Sequence, residues 1–243
     1  MKIVTPDPLL RFAADALAAV RDDIVVIGAS AVRVALHGRD VALSPTRDVD
    51  AGTRTEDVDR VVAALEAAGL TRSPEPHEHA FTWIRDDHLK VQLIRPFHPF
   101  PKGDARRLPV NNTITELARH RDSVAFDDAP GEHRLWCANA AALVGLKAQA
   151  FGRTRHDGKP VDRDFSDAAL LLANALDDIT AQVATDTVIR GRVTTAARRL
   201  LDDQSAADAA VRELVATDAY PSVAAARRAV AVAAERALRR IDA

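Results

Sequence analysis

Two aspartates stand two residues apart in Arg47-Asp48-Val49-Asp50-Ala51, a segment with the period-two alternation of a β-strand. On a strand, that spacing turns both carboxylates to one face, where like charges repel unless a proton or cation compensates them. Hard divalent cations prefer oxygen ligands and can bridge carboxylates to phosphates, so the pair suits magnesium, with Asp48 and Asp50 as its ligands. A solvated strand end is the plainer account of the same two residues. Upstream, Ile24-Val25-Val26-Ile27 runs into Gly28-Ala29-Ser30-Ala31. Gly28 permits close backbone approach, and Ser30 falls where free amides at a helix start can hold an anion, its hydroxyl adding a donor. A glycine turn with a serine N-cap accounts for the same letters. The turn is neither the long lysine-bearing phosphate loop nor the three-glycine dinucleotide turn.

Other reactive side chains say less. Arg153, Arg155, His156, Lys159 and Arg163 form the densest basic segment, fit to meet a triphosphate or an RNA backbone, or simply to be a solvated loop. Asp164 and Asp167 read as helix caps or as orienters of those arginines. His77, His79 and His88 match no zinc frame and read as surface residues. Cys137, beside Trp136, reads as an inert apolar residue rather than a nucleophile. Trp83 and Trp136 anchor a core with few aromatics, although either ring could stack on a base at a cleft edge.

Composition bounds the partners. Of 243 residues, 47% are hydrophobic and only 4% aromatic, so Ala, Val, Leu and Ile must fill one core, or a core plus a helical appendage. A net charge of -2 gives no general attraction to nucleic acid or anionic membrane, and any basic site must be local. A single cysteine excludes an internal disulfide framework and fits a reducing, cytoplasmic compartment. Asp7, Arg11 and Asp15 interrupt the first apolar residues, and no uncharged run reaches spanning length, so secretion and a membrane partner are not expected.

The elements that must position these residues follow from periodicity. Residues 8–20 read as a helix opened by Pro6 and Asp7, 24–27 as a strand, and Ala31 to Gly38 as a second helix. Residues 47–51 read as a strand, and 55–70 as a helix capped by Thr55 and closed by Gly69. Residues 81–84 and 89–94 form an expected hairpin, a Pro-rich irregular stretch follows, and strands are expected at 123–126 and 134–137. Beyond Asn139, itself a helix cap, the pattern is helical: 140–151, 164–176, 178–189, 193–201, 206–215 and 222–241. The fold class is therefore α/β (α+β), with a sheet-containing domain at 1–138 and a helical region at 139–243.

Read together, Gly28-Ala29-Ser30-Ala31, His37-Gly38 and Thr46-Arg47-Asp48-Val49-Asp50 resemble the polymerase beta-like nucleotidyltransferases, whose pattern is a Gly-[Gly/Ala]-Ser turn followed by Asp-x-Asp. Leu143-Val144-Gly145-Leu146-Lys147-Ala148-Gln149-Ala150, then Arg153 and Arg163-Asp164-Phe165-Ser166-Asp167, is similar to the lysine helix and Arg-Asp-x-x-Asp segment of the AbiEii-like abortive-infection group. The resemblance spans roughly residues 20–175. It implies a nucleotidyltransferase-like mixed sheet with flanking helices and a helical region that completes the cleft and offers a partner surface. It also implies Asp48 and Asp50 as catalytic magnesium ligands, Gly28, Ala29 and Ser30 as the phosphate turn, and Lys147 as a catalytic and nucleotide-binding cation. Arg153 and Arg163 become accessory residues. Without the resemblance, Lys147 reads equally as a lysine snorkelling from a core margin.

The leading expectation is magnesium-dependent transfer of a nucleoside monophosphate from a nucleoside triphosphate to an RNA or protein hydroxyl, with a cognate antitoxin as a further partner. The pattern departs from the family at one place. A later strand normally supplies a third carboxylate, and the positional counterpart here is Gln92, whose amide oxygen can ligate an ion but cannot serve as a carboxylate base. Asp86 and Asp87 near the preceding turn, Glu78 before the hairpin or Asp104 after it could fold back to supply that carboxylate. The alternative is a degenerate member that binds nucleotide or a partner without efficient catalysis; a third is a helix-mediated interaction module.

Overall fold

The structure, a computed structural model, describes residues 2–5, 8–43, 45–46, 48–54, 57–74, 82–85, 89–94, 120–128, 134–150 and 162–242. These fall into two compact units, Met1–Val34 with Pro45–Ala138, and Ala35–Ser44 with Asn139–Ala243.

Among the described residues, the first unit is organised by a mixed sheet of eight strands: β1 (Lys2–Val4), β2 (Ile24–Ile27), β3 (Asp48–Thr53), β4 (Thr71–Arg72), β5 (Thr82–Arg85), β6 (Leu89–Ile94), β7 (Arg121–Phe126) and β8 (Arg134–Ala138). Their order is β1-β7-β8-β2-β3-β6-β5-β4. The pairs β1/β7, β8/β2 and β3/β6 are parallel, and the other neighbours antiparallel. All four residues of the β-branched β2 are buried, as a central strand covered on both faces requires.

Alternation then sets the two faces of the sheet. Val49, Ala51, Val91, Leu93, Leu135 and Cys137 are buried on one, against helix α1 (Pro8–Ala16) and a 3₁₀ segment (Ala18–Asp23), which in turn contacts α3 (Val58–Ala67). Asp48, Asp50, Lys90, Gln92 and Trp136 are half-buried on the other. Helix α2 (Gly28–Ala35) leaves β2 directly.

Several sequence expectations shift. The first helix stops at Ala16 and continues as the 3₁₀ segment, whose Val20 is non-helical. Helix α2 starts at Gly28 rather than Ala31. Thr55 lies outside the described residues, and α3 is entered through Asp57, whose carboxylate pairs with Arg54 and Arg60 instead of capping the helix amides.

The second unit is helical: α4 (Ala140–Ala150), α5 (Asp162–Asn174), α6 (Leu176–Val183), α7 (Thr187–Asp202), α8 (Gln204–Ala216) and α9 (Val223–Ile241). Asn139 opens α4 by accepting from the Ala142 amide at 3.0 Å. Asp186, Asp203 and Ser222 cap α7, α8 and α9 in the same way. Helix α5 packs on α8, α7 on α9, and α4 against both α5 and α7. Small side chains permit the close approach. A Cβ on Gly145 of α4 would lie 3.2 Å from the Cβ of Arg192 on α7.

Candidate functional site

The site begins with register. Antiparallel pairing sets Asp50 opposite Ile27, the last residue before the glycine turn, and parallel pairing sets Asp50 beside Gln92 and Asp48 beside Lys90. Directly paired residues share a face, so both carboxylates, the amide and the ammonium lie together on the half-buried side of the sheet.

Gly28 is demanded twice over. Its φ of +67° is left-handed, and a Cβ there would stand 2.0 Å from Asp50 Oδ2 and 2.9 Å from its Cγ. The carboxylate of Asp50 therefore rests directly over the backbone of the turn, an approach open only to glycine.

Ser30 is 1% exposed, and its hydroxyl donates to the Asp48 carbonyl at 3.1 Å. That bond ties the start of α2 to the start of β3; the hydroxyl read from sequence as a donor to an anion acts here between two elements. Asp48 is fixed from its other side by Thr46, whose hydroxyl donates to Oδ1 at 2.7 Å. A neutral donor orients the carboxylate. Thr46 and Lys90 thus join a site whose sequence motif names only the aspartates. The signal for both was present: Thr46 is two residues before Asp48, and Lys90 shares the alternation of Gln92.

Lys147 lies in the second unit and does not snorkel to water. It is 8% exposed, with Nζ 2.9 Å from Asp164 Oδ1 and 2.7 Å from Asp167 Oδ2. Burial opposes its charge, but the carboxylates of Asp167 and Asp164 outweigh burial and hold its pKa above the ordinary lysine value. Asp164 and Asp167, expected as caps or arginine orienters, are the partners of this lysine. Arg163 is half-buried at the start of α5. Arg153, Arg155, His156, Lys159, the histidines at 77, 79 and 88, and the alternative carboxylates Glu78, Asp86, Asp87 and Asp104 lie outside the described residues.

Cys137 is buried on the closed face of the sheet, and its thiol is pushed up to about 12, by burial first and then by Asp122. No nucleophile is available there at neutral pH. Trp83 is buried in the core, whereas Trp136 is half-buried on the aspartate-bearing face. Among the described residues, no group of three or more His, Cys, Asp or Glu side chains is placed to hold a metal ion, and no helix is long and apolar enough to cross a membrane.

No family model matches the sequence, and no curated protein matches it significantly. Among solved structures, the chain is similar to JHP933 from Helicobacter pylori, with a TM-score of 0.49 and 12% identity over 97% of this chain and 91% of that one. It is also similar to an H. pylori chain that carries the provisional description of a nucleotidyltransferase. There the TM-score is 0.48 and the identity 11%, over 97% of this chain and 94% of that one. At this distance the likeness identifies no chemistry, and the site has to be read from its own residues.

Proposed function

We propose that the chain is a nucleotidyltransferase-like protein that binds the phosphates of a nucleoside triphosphate through a divalent ion and does not transfer the nucleotidyl group efficiently. The observation that carries this reading is the register placing Gln92, not a carboxylate, beside Asp50. Two carboxylates and an amide oxygen on one sheet face, next to a turn without a Cβ, fit magnesium. That ion commonly takes one or two protein carboxylates and completes its shell with water and phosphate oxygens.

Asp48 and Asp50 would hold the ion, and the turn Gly28-Ala29-Ser30 would present backbone amides at the start of α2 to the phosphates. When bound, the ion supplies charge neutralisation between carboxylates and phosphate oxygens. Thr46 and Ser30 keep the Asp48 segment in place. Gln92 can offer an oxygen or an N–H, but it cannot take the proton from an acceptor hydroxyl. Lys147, engaged by two aspartates, supports the same conclusion because its charge is already matched within its own unit. The sequence resemblance adds an RNA acceptor and a cognate antitoxin as classes of partner.

The test compares wild type, Gln92→Asp and Asp50→Asn, each with magnesium, each labelled nucleoside triphosphate and a pool of small RNA and protein acceptors. Wild type is expected to bind nucleotide only with magnesium and to label little. Gln92→Asp is expected to raise labelling, and Asp50→Asn to abolish binding. Robust wild-type transfer that Gln92→Asp leaves unchanged would overturn the reading and make the chain an active transferase with its base elsewhere.

A further inference from the structure

A cavity of about 300 Å³ opens in the first unit away from the paired aspartates, lined by Arg21, Asp22, Ser123, Arg134, Leu135 and Trp136. Its volume is at the small end for ligand pockets, enough for one ring system and its near substituents. The indole of Trp136 is fixed within it. Its N–H donates to Asp22 Oδ1 at 2.9 Å, and the guanidinium of Arg121 stacks on the ring, 4.2 Å from its centroid. Arg121 also donates to the Asp22 carbonyl at 3.5 Å. The indole's one polar atom is satisfied and its plane is set before any ligand arrives.

Charge adds direction. Arg21 and Arg134 are exposed and come from different elements, the 3₁₀ segment and the start of β8. Among the described residues, Asp22 is the one acid lining the cavity; it lies 3.8 Å from Arg21 and accepts from the indole. An overall charge of -2 means that this attraction is local. Strand register places the indole on the aspartate face: Cys137 pairs with Val26 and Val26 with Ala51, so Trp136 and Asp50 share the opposite side. They lie two strands apart, about 10 Å across the sheet.

We propose that this cavity takes one nucleotide of a single-stranded nucleic acid, its base against Trp136 and the flanking phosphates on Arg21 and Arg134. Unstacked bases bind aromatic rings and guanidinium planes in this way, whereas a base within a duplex cannot reach them. Exposed cations at the mouth suit a strand running across the surface better than a molecule enclosed whole. The assignment is independent of the ion site, and it is tested without divalent ions so that failure of either reading is seen separately.

The experiment titrates the full chain, in a chelator, with a short single-stranded oligoribonucleotide, its abasic counterpart and a nucleoside monophosphate. Tryptophan fluorescence is read alongside anisotropy of labelled strand. The intact strand is expected to quench Trp136, because the other tryptophan, Trp83, is buried. Trp136→Ala should weaken binding about tenfold or more, while Trp136→Phe should keep most of the affinity and lose the quenching. Arg21→Ala and Arg134→Ala, at exposed positions that the fold tolerates, should each flatten the salt dependence of log K by about 0.7. Unchanged affinity and salt slope in both arginine variants, an abasic strand that quenches equally, or a monophosphate that binds as tightly as the strand would each overturn the proposal.

Discussion

The two units each gather carboxylates, and they treat them in opposite ways. In the helical unit, Asp164 and Asp167 close on the buried Lys147. On the sheet, Asp48 and Asp50 share a half-buried face, with Asp48 oriented by a neutral hydroxyl and Asp50 laid over a glycine backbone. A buried cluster that carries its own counter-charge is part of the packing, because removing either sign leaves an uncompensated charge. A pair of like charges on a half-buried face, one carboxylate turned by a hydroxyl and the other laid over a glycine turn, is an arrangement that the proposed ion would bridge. The same residue types thus form a packed brace in one region and, on the proposed reading, an ion seat in the other.

The sharpest way to break that contrast is Lys147→Met. With two aspartates left buried, stability is expected to fall by about 3–5 kcal/mol, measured by urea denaturation, with recovery when Asp164→Asn and Asp167→Asn are added. The cluster also has a pH signature. The folded pKa of Lys147 is raised, so its contribution is fully present below the ordinary lysine value of about 10.4 and is lost as pH rises through the higher folded value. Wild type should therefore lose stability at strongly alkaline pH, and Lys147→Met should flatten that limb. An unchanged limb would remove Lys147 from the packing and return it to the candidate ligands.

Gly28→Ala comes next. A left-handed alanine costs about 1–2 kcal/mol, and its Cβ would have to displace the Asp50 carboxylate. Magnesium-dependent nucleotide binding should be lost by titration calorimetry while the cooperative melt survives. Retained binding would show that Asp50 does not need its seat on the turn. The smallest effect is expected from Ser30→Ala, which removes one hydrogen bond to the Asp48 carbonyl and should cost about 1 kcal/mol with little change in nucleotide affinity. A large loss of affinity instead would make the hydroxyl a phosphate donor.

Much of this architecture was legible because it is local. The β-branched run 24–27, the glycine turn and the alternation of Asp48 and Asp50 fix strand, turn, helix and strand in order, and the 89–94 alternation selects Gln92 as the neighbour of the aspartates. Strands β1 and β4 escaped because two or three residues carry no measurable period. Residues 178–189 keep helical spacing across the break between α6 and α7, so period alone joins what the structure divides. The signal of the break was Asp186, whose carboxylate accepts from the amides of Val188 and Ile189. The Lys147 cluster is a different case. Asp164 and Asp167 lie three apart and share a helix face, but nothing in their spacing names a lysine on another helix as their partner.

The short flanking strands that periodicity missed have a consequence for how this protein behaves in a crowd. Among the described residues, the sheet ends in the three residues of β1 and the two of β4, with Lys2 on one rim and Arg72 on the other. A rim offers unpaired amides and carbonyls to any strand that passes, and the hazard grows with the length of flat backbone it displays. Here each rim runs out almost as soon as it begins and bears a cation that a second copy would have to bury. Growth of the sheet from molecule to molecule is thereby discouraged by the dimensions of its two outermost strands.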